Sequence, residues 1–457
     1  MIKNKASFAI FLQKGLILTL YCVKLVIDVI ITIAMIKNFT FENFLSFKEK
    51  NTFSFERQSN DSSHKEAFFE LQGTDLLKSA VIYGANASGK SNFSKAFVLF
   101  HQLVTNGLQL SLANIPIQVA PFLLNTKTEN KSSSFEIELL TKKHRFIYGF
   151  EVTSERVHKE WLHQFVNNRQ RTLFDRKNDE ITTNPHHFKE ATADLKKMTR
   201  SNVLFLTVLA SYNGEIANEV VEEIKKITVF PADQKEMILE YSFQNYPKYK
   251  NEVWEMVREA DFGMKALNLE QKEVTKEEFE RPFSVQIRDM MTAGKNKFFH
   301  RKASTLHAKY DENDKEVGDV AFDFMTQESA GTRQMFGLSV LFVDALKEGK
   351  ILFLDELSSS LHPFLCKFIM KIFNSKEKNP KNAQLIFTTH DTSLLDSDIL
   401  RRDQIWFAEK NKYGASNLFS LGDLGERKDL SYGKRYFEGR YGALPYIKTL
   451  ESIDEIS

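Results

Sequence analysis

The sequence has little cysteine, little net charge and no long uninterrupted apolar run. Only Cys22 and Cys366 are present among 457 residues, with no C-x-x-C pair, which excludes a disulfide framework and a cysteine-based zinc site. Two isolated cysteines are typical of a reducing compartment, so we expect a cytoplasmic protein. The formal net charge is +2, whereas a dedicated nucleic-acid-binding protein usually has a stronger basic excess. The composition therefore permits DNA contact but does not indicate it.

The N-terminal segment 1–34 is the most membrane-like part of the chain. Lys14, Lys24 and Asp28 divide it into uncharged runs of under about 12 residues, short of the roughly 18 that a spanning helix requires. We interpret the segment as an upstream extension of the reading frame. A membrane-associating helix and a signal sequence are the open alternatives. The globular part is expected to begin at Met35, where MIKNFTFENFLSF alternates like a first strand.

Hydrophobic patterning predicts an α/β fold for the rest of the chain. Strand-like runs are MIKNFTF, NTFSF, SAVIY, SFEIELL, RFIYGFEVT, RTLFDRK, FSVQIRD and DVAFDFM. Helical spacing occurs at 92–110 and in a charged segment at about 213–280. The final third has a βαβ order in KILFLDE, PFLCKFIMKIFN, QLIFTTH and QIWFAEK. We therefore expect an N-terminal lobe (35–212), a helical insertion (213–285) and a C-terminal lobe (286–457), with a mixed sheet and antiparallel additions.

A phosphate-binding loop is predicted at residues 84–91. GANASGKS fits G-x-x-x-x-G-K-[ST] at every fixed position, and a strand (SAVIY) precedes it and a helical run follows, as the motif requires. The glycines let backbone N–H groups converge on one anion, and the helix adds its positive end. An ordinary glycine turn is the alternative. The predicted nucleotide-binding residues are Gly84, Ala85, Asn86, Ala87, Ser88, Gly89, Lys90, Ser91 and Asn92.

A second motif, KILFLDE, ends an apolar run in two carboxylates. Such a run suits a parallel strand that is buried on both faces. Asp355 would then hold the magnesium shell, and Glu356 would polarise an attacking water as a general base. Both acids could instead cap the helix that follows, because acidic residues favour helix N-termini.

A third apolar strand, QLIFTT, places His390 at its carboxyl end. Ligands of open α/β sheets bind outside the carboxyl ends of the strands. Lys90, Glu356 and His390 are therefore the predicted catalytic residues at one sheet edge, with Ser91 and Asp355 as magnesium ligands. A structural role is the alternative for His390.

A further helix start lies at ESAGTRQ, residues 328–334, before the apolar helix MFGLSVLFVDAL. Ser329 and Gly331 would form a second phosphate-binding N-terminus. One γ-phosphate has no use for two such sites in one chain, but two facing chains could each complete the other's site. A plain N-capped helix is the alternative.

Together these motifs resemble those of the ABC-type ATPase heads of SMC-like and DNA-repair ATPases. GANASGKS resembles Walker A, ESAGTRQ the signature motif, ILFLDE Walker B, LSSSLHP the D-loop and TTH the H-switch. With MIKNFTFENFLSF, DTSLLDSDILRRDQIWFAEK and YFEGRYGALPYI, the chain looks more closely like the AAA-type ATPases of bacterial abortive-infection and restriction-linked operons, the RloA/AbiL-like family. This likeness covers nearly all of residues 35–450.

The resemblance implies that ATP and Mg²⁺ are bound between two heads of a homodimer. Lys90 and Ser91 would hold phosphate and magnesium, and His390 would sense the γ-phosphate. Ser329 and Gly331 would contact the ATP of the opposite subunit. The resemblance also implies a separately encoded effector, an RloB-like or TOPRIM-like nuclease or toxin.

Two features depart from the general pattern of ABC-type heads. The signature begins with Glu328 instead of leucine, as in SMC-like rather than transporter heads, and sustained heptads are missing, so no long coiled-coil arm is expected. Gln118 in NIPIQVAPF is a weak candidate for the Q-loop glutamine, since a polar loop residue needs no special role.

The sequence thus predicts an ATPase switch of a phage-defence system. The alternative is a DNA-repair or DNA-remodelling ATPase, in which basic C-terminal side chains would line a DNA groove, although a solvated surface is their simpler interpretation. A transporter subunit is disfavoured by Glu328 and by the interrupted N-terminal segment. The basic side chains are Arg401, Arg402, Arg427, Lys428, Lys434, Arg435 and Arg440.

Overall fold

The computed structural model describes residues 35–58, 63–113, 115–232, 235–259, 263–280, 298–425 and 431–443. In this part of the chain the strands are β1 (Met35–Glu42), β2 (Asn51–Ser54), β3 (Phe68–Leu71), β4 (Thr74–Leu77), β5 (Ser79–Tyr83), β6 (Ser133–Leu140), β7 (Arg145–Val152), β8 (Val157–Val166), β9 (Arg169–Lys177), β10 (Glu180–Thr183), β11 (Ile227–Phe230), β12 (Met264–Val274), β13 (Phe298–Tyr310), β14 (Glu316–Asp323), β15 (Ile351–Leu354), β16 (Gln384–Thr388), β17 (Ile405–Lys410) and β18 (Ser416–Ser420). The α-helices are α1 (Lys90–Leu112), α2 (Ala193–Met198), α3 (Phe205–Ser211), α4 (Glu215–Lys225), α5 (Lys235–Asn245), α6 (Lys250–Glu259), α7 (Lys276–Glu280), α8 (Ala330–Glu348), α9 (Pro363–Asn374) and α10 (Tyr432–Phe437).

A six-stranded sheet forms the centre of the fold, in the order β11-β15-β16-β5-β17-β18. Its neighbours run parallel except for the antiparallel pair β17 and β18. Strands β5, β15 and β16 are buried along their whole length. Their continuous apolar sequences follow from this position, because both faces of a parallel sheet are covered. The predicted mixed α/β class is confirmed.

One face of the central sheet packs against α1 and a seven-stranded antiparallel sheet, ordered β10-β9-β8-β7-β6-β1-β2. The core on this side is rich in phenylalanine. The rings of Phe93 and Phe97 on α1 lie 5.3 and 5.5 Å from the ring of Phe353 on β15. Phe97 also stacks on Phe39 of β1 at 3.9 Å. Because α1 is clamped between the two sheets, the position of its N-terminus is fixed.

Helices α8 and α9 cover the opposite face of the central sheet. The alternate strand residues Val81, Leu352 and Leu385 join this second core, since successive side chains of a strand point to opposite faces. Phe342 of α8 and Phe373 of α9 meet there with their ring centroids 5.8 Å apart. The central sheet is therefore covered on both faces, by α1 on one and by α8 and α9 on the other.

The segment 213–285 contains strands as well as the predicted helices α4 and α6. Ile227–Phe230 is the edge strand β11, paired with β15, and Met264–Val274 is β12 in a three-stranded sheet with β13 and β14. A purely helical insertion is therefore wrong. Strand β11 has only four residues and directly follows an amphipathic helix, so the run is too short to show a period of its own. Its β-branched and aromatic residues were the available signal.

The central sheet takes β5 from the predicted N-terminal lobe and β15 to β18 from the predicted C-terminal lobe. The lobe boundaries themselves stay a prediction. The predicted strand FSVQIRD and residues 1–34 lie outside the described residues. Within the described ranges, no helix is long and apolar enough to cross a membrane.

A buried carboxylate ties the antiparallel sheet to α3. Glu160 of β8 accepts hydrogen bonds from the backbone N–H groups of Phe205 and Leu206 at 2.6 and 2.9 Å and from the Tyr148 hydroxyl at 3.0 Å. The guanidinium of Arg176, itself buried, lies 3.6 Å away. The carboxylate thus satisfies the first free N–H groups of a helix that has no other side-chain cap.

Replacing Glu160 should be strongly destabilising. Glu160→Ala leaves the buried Arg176 without its counter-charge and two helix N–H groups without an acceptor, so we expect the free energy of unfolding to fall by about 3–5 kcal/mol. Tyr148→Phe, which removes one hydrogen bond to the same carboxylate, should cost only about 1 kcal/mol. Denaturant titration of both variants measures the difference, and equal losses would contradict the central role of the carboxylate.

Candidate nucleotide-binding site

Three parallel strands bring the predicted motifs to one edge of the central sheet. Strand β16 lies between β15 and β5, with Leu354 opposite Phe387 and Thr388 opposite Ile82. The strands therefore end at nearly the same level. The phosphate-loop sequence follows β5, the two carboxylates follow β15, and His390 follows β16. The register of the three strands therefore brings the three predicted motifs to the same edge of the sheet.

Both glycines of the loop are required by close packing. A Cβ atom on Gly84 would lie 2.4 Å from the carbonyl oxygen of Ala408 on β17. Gly89 has φ of +118°, and a Cβ there would lie 2.6 Å from the Ser416 hydroxyl of β18. The loop is thus pressed against the neighbouring antiparallel pair, which leaves no room for a larger residue. Asn86 and Ala87, at the tip, are exposed.

The loop leads into the N-terminus of α1, whose first N–H groups have no acceptor within the helix. Ser91 is half-buried in this first turn, as a hydroxyl that shares a metal ion with phosphate would be. Asn92, whose nucleotide contact stays a prediction, donates its side-chain amide to the Ser46 hydroxyl at 2.8 Å. That hydroxyl also accepts from Ser416 at 2.8 Å. Asn92 therefore anchors the helix start to β18 through Ser46.

Lys90 is folded back onto its own loop. Its Nζ donates to the carbonyl oxygens of Gly84 and Ala85 at 2.8 and 2.9 Å. Burial lowers the pKa of Lys90 to about 8, and the nearby charges of Asp355 and Glu356 oppose the decrease only in part. The negative charge around the Lys90 ammonium is therefore too small to offset its burial, and a bound polyphosphate would supply the missing negative charge.

Asp355 has one oxygen bound and one free. The Thr388 hydroxyl donates to Oδ1 at 2.6 Å, whereas Oδ2 is buried and has no hydrogen-bond partner among the described residues. An oriented carboxylate with a free buried oxygen fits the ligand shell of Mg²⁺, which usually takes one or two protein carboxylates together with phosphate oxygens and water. The residues present are therefore compatible with the predicted metal site.

Glu356 has an unusual backbone conformation. Its φ and ψ are 56° and 47°, in the left-handed region that costs a residue with a side chain about 1 kcal/mol or more. Its N–H donates to the Thr388 hydroxyl at 2.8 Å. One hydroxyl on β16 thus holds both the Asp355 side chain and the Glu356 backbone. Sequence reasoning missed Thr388, although its place at the end of the apolar strand was a usable signal.

His390 is exposed at the same edge. Partial desolvation of the ring and then the positive charge of Lys90 lower the pKa of His390, while Glu356 and Asp355 oppose the shift. The imidazole thus shares an electrostatic environment with all three other groups. The preceding Thr389 exchanges a hydrogen bond with the Ser358 hydroxyl at 2.6 Å, which connects the histidine strand with the turn after β15.

The signature residues lie at an exposed helix start. Ser329 caps α8 by accepting a hydrogen bond from the Thr332 N–H at 3.0 Å, and Ser329 and Ala330 are exposed while Gly331 is half-buried. Glu328 is bound to His307 of β13 at 2.6 Å. Within the described residues, no hydrogen bond or ion pair joins this helix start to the phosphate loop of the same chain.

Other predicted residues have mainly structural contacts. Gln118 is exposed and its amide donates to the Pro116 carbonyl at 3.2 Å, so its Q-loop role stays a prediction. Arg401 and Arg402 cannot line a DNA groove, because they are 0% and 7% exposed. Arg401 forms a buried ion pair with Asp403 at 2.7 Å. Arg427 and Lys428, from the same set, are outside the described residues.

Comparison with protein families gives one match. A family model described as "AAA domain, putative AbiEii toxin, Type IV TA system" matches residues 79–396, more than two thirds of the chain. The match includes the phosphate loop, the signature helix start, both carboxylates and His390. No curated protein sequence matches the chain significantly.

Several solved structures are similar at low identity. The SMC head domain from Thermotoga maritima has 13% identity and a TM-score of 0.40, over 84% of this chain and 98% of that one. An SMC head domain with an extended coiled coil, bound to the C-terminal domain of ScpA and derived from Pyrococcus furiosus, has 13% identity and a TM-score of 0.38, over 89% and 99%. The recombination mediator protein RecF with ATP has 16% identity and a TM-score of 0.35, over 85% and 98%. At such scores these likenesses carry no conclusion about activity.

Removing the Thr388 hydroxyl should disturb the metal side of the site. Thr388→Val has nearly the same shape but leaves Asp355 Oδ1 and the Glu356 N–H without their partner. We therefore expect the factor by which Mg²⁺ increases nucleotide affinity to be at least tenfold smaller in this variant than in the unmodified protein. Calorimetric titration with and without Mg²⁺ measures this. Thr105→Val is the matched control, because the Thr105 hydroxyl donates to the His101 carbonyl of its own helix and has no other hydrogen bond in the described part of the chain. An unchanged Mg²⁺ effect in Thr388→Val would contradict the assignment.

Nucleotide affinity should decrease above pH 8. The pKa of Lys90 in the free site is about 8, and bound phosphate would raise it, so binding near pH 8 should take up roughly half a proton. Nucleotide affinity should then be highest below pH 8 and should fall above it, by up to about tenfold for each pH unit. Titrations in buffers of different ionisation enthalpy measure the uptake. Lys90→Arg, which stays charged, should bind without it, and proton release by the unmodified protein would contradict the model.

Proposed function

Because the chain belongs to this AAA domain family, we propose that it is an ATP-binding and ATP-hydrolysing switch protein of a bacterial phage-defence system. ATP-dependent pairing of two heads would control a separately encoded effector. The observation that carries the proposal is the convergence of Lys90, Asp355, Glu356 and His390 at one sheet edge. The positive charge of the buried lysine is only partly balanced there, and one buried carboxylate oxygen has no donor among the described residues.

The residues of the site divide the work of phosphate binding and hydrolysis. Lys90 would exchange the carbonyls of Gly84 and Ala85 for the β- and γ-phosphates. Ser91 and Asp355 would hold Mg²⁺, which when bound neutralises phosphate charge and orients the phosphates. Thr388 keeps Asp355 and the Glu356 backbone in place.

Glu356 would accept the proton of the attacking water, since a general base has to lie within hydrogen-bond reach of that water. His390 lies beside Lys90 and Glu356 and would contact the γ-phosphate. Its lowered pKa favours the neutral imidazole near pH 7, which can donate one hydrogen bond and accept another.

Pairing of two heads is supported by the exposed start of α8. Ser329 and Gly331 form no hydrogen bond or ion pair with the phosphate loop of their own chain in the described residues, yet they lie at the start of a 19-residue helix whose first N–H groups have no acceptor within the helix. Such an N-terminus suits an anion. A second copy facing the first would bring these groups to its γ-phosphate, giving two shared sites in a homodimer.

The defence role rests on the family description, which names a type IV toxin–antitoxin system. A cytoplasmic location and an RloB-like or TOPRIM-like nuclease or toxin as the effector belong to the same proposal. The DNA-repair alternative is not favoured, because two of its proposed groove residues, Arg401 and Arg402, are buried.

Two substitutions test the switch. Glu356→Gln should bind ATP, lose at least a hundredfold in hydrolysis rate and accumulate as an ATP-bridged dimer on sizing, because the base is removed while phosphate binding remains. Lys90→Ala should lose hydrolysis, ATP-dependent dimerisation and protection of cells against phage.

Mixing experiments show whether the sites are shared. Lys90→Ala and Ser329→Arg should each be inactive alone. A mixture should regain part of the activity, because one of the two sites in a mixed dimer then has an intact loop and an intact signature. No recovery, together with a monomeric Glu356→Gln protein in ATP, would contradict head pairing. Hydrolysis by Lys90→Ala at the normal rate would contradict the site itself.

A further inference from the structure

A basic pocket lies at the end of the antiparallel sheet that is remote from the phosphate loop. At one end of this sheet, Glu42 of β1 pairs with Ser134 of β6 and leads to Ser46, which contacts α1 beside the loop. At the other end, Met35 pairs with Leu140. The turns β6–β7 and β8–β9 lie at this far end and enclose a cavity of about 560 Å³. The cavity is within the size range of small-ligand sites.

The charged side chains that line this basic pocket are lysines and arginines, while Glu219 binds the lining residue His144 from outside the lining. Lys142, Lys143, Arg145 and Arg171 line it, together with side-chain amides, and no carboxylate does so among the described residues. Lys142, Lys143 and Arg171 have no ion-pair partner in that part of the chain. The fields of several cations therefore add within one concave, partly enclosed space, which attracts anions.

Arg145 is held in a fixed orientation at the pocket wall. Its Nε donates to Glu138 at 2.6 Å, outside the lining, and its guanidinium lies 4.0 Å from the centre of the Phe165 ring. A guanidinium positioned in this way keeps N–H donors available for a planar or tetrahedral anion.

Gln164 adds a side-chain amide to the wall of the pocket. The residue is only 6% exposed and lines the cavity. Gln164 is paired across the strands with Arg171, so a donor amide and an unpaired cation share one side of the sheet end.

We propose that the basic pocket binds a phosphate-bearing ligand of about nucleotide size. The phosphates would be held by Lys142, Lys143 and Arg171, and the Gln164 amide would donate to a phosphate or base oxygen. Such phosphate groups are present both in a free nucleotide and at the end of a nucleic-acid strand. The site is separate from the phosphate loop and does not depend on ATP hydrolysis.

The test uses the full chain with Lys90→Ala, so that the phosphate loop does not contribute. Binding of a labelled nucleoside diphosphate and of a labelled short single strand is measured by polarisation. Adding Lys142→Ala and Arg171→Ala should weaken binding at least tenfold. Lys189→Ala with Lys197→Ala is the matched control, because it removes two exposed lysines of the same lobe outside the pocket and should change affinity less than threefold.

Each outcome decides the question. Binding of the diphosphate assigns a free nucleotide, and binding of the strand alone, with a salt dependence that decreases in the double variant, assigns a nucleic acid. Gln164→Leu should weaken binding without lowering the melting temperature, since an apolar side chain of similar size needs no partner. No binding to either probe, or binding unaffected by the double variant, overturns the proposal. ATP hydrolysis by the double variant with Lys90 restored should be normal, so failure here is distinct from failure of the proposed ATPase.

Discussion

The structure depends on the side-by-side parallel pairing of β15, β16 and β5. Hydrogen bonding fixes their register, so the segments that follow them emerge at one level although β5 is far from β15 and β16 in the sequence. A slip of one residue in β16 would turn Thr388 to the other face of the sheet and would separate it from Asp355. The apolar side chains that lock this register, among them Phe353 and Phe387, therefore determine the chemistry of the site as much as the charged residues do.

The free site keeps its charged groups close together but incompletely compensated. Lys90 donates to two loop carbonyls, and Asp355 has a buried oxygen that no donor among the described residues reaches. Each arrangement is tolerable without a ligand and improves with one of opposite charge, since buried charges need partners. Lys90 begins α1 and Asp355 follows β15, so a metal-bound polyphosphate is the kind of ligand that satisfies both at once.

Much of the site could be predicted because its signals are local. The loop 84–91 and the carboxylate strand carry their own flanking patterns, and the uninterrupted apolar runs predicted the parallel core. Contacts between distant segments could not be predicted in the same way. Thr388 holds Asp355 only because β16 pairs beside β15. The Asn92 amide is bound because Ser46, which also accepts a hydrogen bond from Ser416, comes from a distant part of the chain. Strand β11 was hidden by its four-residue length, and the burial of Arg401 required knowledge of Asp403 as its partner.

The left-handed backbone at Glu356 has an evolutionary consequence. Glycine adopts this conformation without steric penalty, so a population of variants selected for folding alone should drift towards glycine at this position and gain thermal tolerance. Only selection on turnover would retain the acid. The main-chain torsion of Glu356 therefore sets stability against activity. A thermostabilised version of the protein that was selected without an activity screen is expected to have lost Glu356, and its activity with it.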